Sequence, residues 1–394
     1  MNNLQNRTEL PRAARWLRVG AVALALLLVI GFFNPGRVFE GYLLGYLFWL
    51  GISLGALSIL LLHHLTGGAW GFPIRRILES AVSLLPWMLL LFLPILLFGL
   101  DDLYTWARPE QVDHDPLLQH KQPYLNSGFF SARALIYFAV WIGLGSALTR
   151  WSRRQDMTDR PHPAARLTAV GGPGVVLYAL VATFASIDWV MSLEPHWFST
   201  MYGVLFAAGV ALSGLSFAVV MLGKLSQEKP LSDFVDAQHF HDIGNLLLTF
   251  VMFWAYIAFS QFLIIWSGNL SEETPWYLNR SQGGWQWVAV LLALFHFAVP
   301  FALLLSREHK RRIERMQRVA RLVLGMRVLE MLWLVTPAFS PGQFKLGVTE
   351  ILALLGVGGL WMGWFARHLA RAPLLPVHLP TATRLPVEEV AEHG

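Results

Sequence analysis

Ten apolar runs, each long enough to cross a bilayer as a helix, recur along this chain, and nothing else in the sequence limits the fold as much. A crossing needs roughly 20 residues, or about 17 to 25 with tilt. The runs are Trp16–Phe33, Phe39–His63, Ser80–Leu100, Phe129–Leu148, Pro173–Met191, Thr200–Leu222, Ile243–Trp266, Trp285–Ser306, Ala320–Pro337 and Leu346–Arg367. Inside hydrocarbon a segment of this length must satisfy its own backbone N–H and C=O groups, which only a helix does. The expected fold class is therefore all-α integral membrane. Pro86 and Pro94 predict a bend in the third run.

Composition agrees. Of 394 residues, 55% are hydrophobic and 14% charged, against roughly 25% charged in ordinary soluble domains. The 17 Trp and 26 Phe suit a chain whose solvent is lipid and its interface. There is no cysteine. That excludes disulfides, thiolate zinc, iron–sulfur ligation and c-type haem attachment on this chain.

The net charge of +5 is distributed by topology. Arg7, Arg12, Arg15 and Arg18 precede or open the first run, which continues into Asn34-Pro35-Gly36 without a small-residue cleavage site. It reads as a retained first helix and not as a signal peptide. With the N-terminus cytoplasmic, 23 of the 30 Lys and Arg fall in cytoplasmic segments. Arg37, Arg108, Lys121, Arg133, Arg280 and Lys345 fall outside, and Arg327 lies within a span. The dense clusters from Arg150 to Arg166 and from Arg307 to Arg321 both land inside. The positive-inside rule thus predicts ten crossings, N-in and C-in. Residues 1–370 read as one polytopic domain. Residues 371–394, with Pro373, Pro376, Pro380 and Pro386, read as an extended cytoplasmic tail. No soluble basic face suggests nucleic acid.

Two connections are longer than a turn requires: Asp101 to Ser127 and Gly268 to Gly284. They read either as docking surfaces or as structured caps on the bundle. Gly51 and Gly55, and again Gly209 and Ser213, are small residues four apart. They suggest close helix contacts and a parallel repeat of runs two to five upon runs six to nine.

Charged groups at mid-bilayer are costly, so each needs a reason. In the seventh run His241, Asn245, Thr249, Tyr256 and Ser260 recur on one helical face, with His239 and Asp242 at its cytoplasmic mouth. The sharper reading is a proton track or cavity wall; the plainer one is hydrogen bonding between helices. In the ninth run Arg327 and Glu330 are three apart, and His296 of the eighth sits at similar depth. They read as a buried ionisable cluster or as a structural ion pair. Asp188, Glu194 and His196 stand at the outer end of the fifth run, where a carboxylate and an imidazole could take protons from a quinol. The plainer reading gives Asp188 to a neighbouring helix and the other two to the interface. His63 and His64 lack the second facing pair that a bis-histidine haem needs. No phosphate loop and no Glu-flanked zinc pair are present.

The stretch Ala185-Ser-Ile-Asp-Trp-Val-Met-Ser-Leu-Glu-Pro-His-Trp-Phe-Ser-Thr-Met-Tyr-Gly203 resembles the signature of the NrfD-like (polysulfide reductase membrane subunit) superfamily. More narrowly, it resembles the ActF-type subunits of bacterial Alternative Complex III. Supporting stretches are Tyr46 to Gly51, His63 to Trp70, Lys121 to Asn126, and His241 to Leu248 continuing to Trp254, Tyr256, Ser260 and Gln261. The resemblance covers most of the chain.

It implies two four-helix bundles, helices 2–5 (about 39–192) and 6–9 (200–337), flanked by helices 1 and 10. It implies a membrane-anchoring subunit of a quinol:cytochrome c, or quinol-to-oxidase, oxidoreductase in the bacterial inner (cytoplasmic) membrane. The partners implied are a second NrfD-like subunit, an iron–sulfur subunit, multihaem and monohaem cytochromes c, small membrane subunits and a terminal oxidase. Haem c and iron–sulfur clusters would sit on those partners. The only ligand expected here is a quinone, menaquinone or ubiquinone. Two other classes stay open on the residues alone: a secondary transporter and a purely structural scaffold.

Overall fold

The computed structural model describes residues 5–156, 162–227, 229, 231–371 and 373–374. Most of the expected tail, 375–394, lies outside them. Ten long helical stretches follow one another among the described residues: α1 (Gln5–Gly31), α2 (Pro35–Thr66), α3 (Ala69–Leu103, in pieces), α4 (Ser127–Gln155), α5 (His162–Trp189), α6 (Tyr202–Leu225), α7 (Ala237–Gly268), α8 (Trp285–Leu305), α9 (Ile313–Val335) and α10 (Val348–Leu369). Nine of them, all but α9, are long and apolar enough to cross a membrane. The charges on α9 keep it below that mark. No strand occurs among the described residues. The chain is an all-α, multi-pass membrane protein.

The expected bend in α3 is a break. Its first half, Phe72–Val82, ends at Ser83 and Leu84, and the second, Leu85–Pro94, begins with Pro86. Pro86 has no N–H to give the carbonyl four residues back, so the first ladder stops there. After Pro94 the chain widens into a π-helical turn, Ile95–Gly99. A second π turn, Leu292–Ala298, precedes Pro300 in α8 and carries His296. Such turns are often found at functional sites.

Helices α2 and α6 form the centre, and most of their residues are buried. They cross where Gly55 meets Gly214. A methyl group at Gly55 would overlap the Val210 carbonyl and the Gly214 nitrogen, so only glycine permits the approach. Helices α2 to α5 pack on one another on one side of this crossing, and α6 to α9 on the other. Helix α1 lies along α10, which lies along α2. There the Trp49 Nε1–H donates to the Leu354 carbonyl and the Trp361 Nε1–H to Ser53 Oγ, both at 2.9 Å.

At one end, hereafter the loop end, both long connections fold onto the turn between α5 and α6. They contain short helices Pro109–Asp113, Pro116–Lys121 and Pro275–Arg280. Lys121 Nζ donates to the Pro195 carbonyl at 2.6 Å, and Trp197 stacks on Trp276 at 4.9 Å between centroids. Both connections are thus structured caps. The Arg- and Lys-rich segments gather at the opposite, basic end.

Candidate functional site

A cavity of about 820 Å³ opens between α7, α8 and α9, beneath the short helix Pro275–Arg280. Apolar and aromatic side chains make most of its wall, among them Phe259, Phe262, Trp276, Phe297 and Trp333. Met252, Tyr256 and Phe259, which line it, are exposed, so the cavity opens on the outer surface of the helices. A few polar groups line it: Gln261, Tyr277, Arg280, Gln286, Glu330 and the Trp254 indole. Gln261 Oε1 accepts from Ser199 Oγ at 3.1 Å, and its amide donates to the Tyr277 phenol oxygen at 3.4 Å. The Tyr277 proton is left free to donate. Burial pushes this phenol up to about 12, against the opposing pull of Gln261 and Arg280, so it stays protonated.

Behind the cavity wall lies the buried cluster. Glu330 accepts from Trp254 Nε1 at 2.8 Å on one oxygen and pairs with Arg327 through the other. Arg327 Nε donates to Ser213 Oγ at 3.0 Å. A methyl group at Gly209 would overlap the Arg327 guanidinium. The small pair on α6, which the repeat had suggested for helix contact, therefore makes room for a cation. His296, brought inward by the π turn, sits edge-on to Trp254 at 4.1 Å, with Nδ1 3.8 Å from Glu330 Oε2. Neither of its ring nitrogens has a hydrogen-bond partner among the described residues, and the side chain is fully buried. The structure so brings together His296, Arg327 and Glu330.

Asp188 lies elsewhere and is saturated. Arg133 of α4 grips it with two bonds, Nε to Oδ2 at 2.7 Å and Nη2 to Oδ1 at 3.0 Å, and the Tyr137 hydroxyl donates at 2.6 Å. The guanidinium also covers the Tyr124 ring at 3.8 Å. Glu194 pairs with Arg280 Nη2 at 2.7 Å, and Arg280 Nε holds the Trp333 carbonyl at 2.9 Å. His196 is exposed and contacts Asp115 Oδ2 at 2.7 Å. Glu194 and His196 share a groove of about 790 Å³ at the loop end; Asp188 does not line it.

The polar stripe of α7 occupies a different face from the buried one, which runs through Ile243, Leu247, Val251, Trp254 and Ile257. Asn245, Thr249 and Tyr256 are exposed, and Ser260 is half-buried. Lys310 Nζ donates to Asn245 Oδ1 at 2.7 Å, and Asn245 lies 3.3 Å from His241 Nδ1. His239 closes a capping box with Asp236 at 2.7 Å, and Asp242 accepts from Gln238. Among the described residues no hydrogen bond links this stripe to Glu330; of its members, Tyr256 reaches the cavity.

Residue spacing could not reveal Arg133, Tyr137, Ser213 or Tyr277, because each acts across helices. Gln261 and Trp254 had a signal as polar-capable groups at helical spacing on α7. No group of three His, Cys, Asp or Glu able to hold a metal occurs among the described residues. No family model matches the chain, and no curated protein is similar enough to it to count as a match.

Proposed function

We propose that this chain is a membrane-anchoring subunit of a quinol-oxidising respiratory complex, crossing the bacterial inner membrane ten times with both ends cytoplasmic, and that the lateral cavity receives the quinone. The cavity carries the reading. Its volume lies within the ordinary range for small-molecule sites, roughly 300 to 1,000 Å³. Its sideways mouth admits a lipid-soluble molecule directly from the bilayer. Aromatic walls suit a flat ring and a polyprenyl tail, while Tyr277 and Gln261 offer polar contacts for a ring oxygen. Glu330 is the buried carboxylate in that wall. With no cysteine on the chain, the iron–sulfur clusters and c-type haems of the reaction belong to partners: an iron–sulfur subunit, c-type cytochromes and a second membrane subunit of the same kind.

A transporter would be expected to break its helices at equivalent places in the two halves. The breaks here fall in α3, the second helix of one set of four, and in α8, the third of the other. That asymmetry counts against a transporter.

The test has two parts. Gentle extraction of the tagged chain from its native membrane should recover a second ten-helix subunit, an iron–sulfur protein and c-type haem. Recovery of the chain alone, or as a haem-free homo-oligomer, sinks the complex and puts the transporter first. A photoreactive quinone should label peptides of 252–286 in that complex, with Tyr277→Phe and Gln261→Leu weakening the labelling. Labelling only on partner chains would remove the cavity from the reaction.

A further inference from the structure

We propose that a notch at the basic end, where α3 breaks beside α4 and α10, holds the phosphate group of an anionic phospholipid. The inference rests only on the chain's place in a membrane and is independent of the quinone reading. The notch encloses about 250 Å³. Its walls divide by chemistry. Val82, Pro86 and Ile142 line it as apolar surface; Ser83 and Thr149 bring hydroxyls, Arg150 and Arg153 positive charge, and His368 an imidazole. That is the division a phospholipid presents, acyl chain below and phosphate above.

Two further observations point to an anion. Arg150 and Arg153 are exposed, three apart on α4, and have no acidic partner among the described residues. Neighbouring Arg154, by contrast, stacks on the Trp151 ring at 4.6 Å. Adjoining the notch on the side of the basic end, a narrow crevice shares Ser83, Thr149, Arg153 and His368 with it and continues to Arg76. Arg76 is 2% exposed. Its terminal nitrogens are taken by Glu79, Ser152 and Asp156, yet its Nε–H has no acceptor among the described residues. Buried donors of this kind are nearly always met by an acceptor. Glu79 adds no free negative charge, since Arg75, Arg76 and Ser152 all contact it. A cationic pocket between helices at the membrane face is the setting in which lipid phosphates are recognised.

The test uses the assembled, purified protein, delipidated in detergent. Phosphatidylglycerol or cardiolipin should raise its unfolding temperature by several degrees and remain bound in native mass spectrometry. Phosphatidylcholine and inorganic phosphate should do neither. Arg150→Gln with Arg153→Gln should weaken retention of the anionic lipid about tenfold, and Arg154→Gln should leave it unchanged. Ser146→Trp, which fills the notch without altering charge, should also expel the lipid. An equal shift with phosphatidylcholine would reduce the notch to apolar packing. An equal shift with phosphate would make it a free-anion site. Undiminished retention in both variants would overturn the proposal outright.

Discussion

Asp188 spends its acceptor capacity on Arg133 and Tyr137, and a carboxylate so held at zero exposure acts first as a fastener between α4 and α5. Breaking one side of a buried ion pair leaves the other charge unanswered, at a cost of about 3–5 kcal/mol. Asp188→Asn should therefore lower the unfolding temperature of the assembled protein sharply. Arg133→Met added to it should restore part of the loss, and turnover per assembled molecule should hold. A fall in turnover with stability intact would give Asp188 a chemical role. Glu330 is placed differently, in a cavity wall beside an unbonded histidine. Glu330→Gln keeps an oxygen for Trp254 while removing the charge. If this carboxylate handles protons, quinol turnover per assembled complex should drop about a hundredfold. Unchanged turnover in the complexes that do assemble would make the chain a scaffold. The residue types at these sites were legible in the sequence, because charge within an apolar run is conspicuous. The pairing of Glu330 with Arg327, three residues away, was legible too; that of Asp188 with Arg133 was not, since they stand 55 positions apart.

At the scale of elements, length and apolarity placed nine long helices as candidate crossings, α9 falling short because of its charges, and Pro86 announced the break in α3. The π turn at Leu292–Ala298 had only Pro300 as a signal, yet it decides where His296 points. The face of α7 was harder still. In water, polar periodicity marks the outward side of a helix; in lipid, outward and inward sides are both apolar, so a polar stripe shows a face without saying what it faces. Asn245 and Thr249, read either as lining a track or cavity or as bonding between helices, stand exposed, with Asn245 taking a hydrogen bond from Lys310. The loop end offers a sharper test. Asp115 caps the helix Pro116–Lys121 through the Leu117 and Leu118 N–H groups. Burial alone would raise its carboxyl, but those two donors and His196 outweigh it and hold it below the ordinary 3.8. A depressed carboxylate contributes fully above its unfolded value and loses that contribution as pH falls through the folded one. Amide protection over 117–121, corrected for intrinsic rate, should be flat from pH 7 to about 5 and decay only below the ordinary carboxylate value. Asp115→Asn should remove the acid step, and its persistence in that variant would assign it to another group.

The whole molecule is organised about the crossing of α2 and α6. Gly55→Val should force the two backbones apart and cost about 3 kcal/mol or more, as overpacking in a tight contact does. Loss of the folded band in detergent chromatography would register it, and a stable variant would show that the helices can separate. That crossing also governs how the protein can move. At this one point α2 and α6 meet backbone to backbone, with no side chains between them to slide on. A rocking stroke of several ångströms between these two helices would have to pull that contact apart. The cavity between α7, α8 and α9 lies away from it, so a molecule entering from the side needs no such stroke.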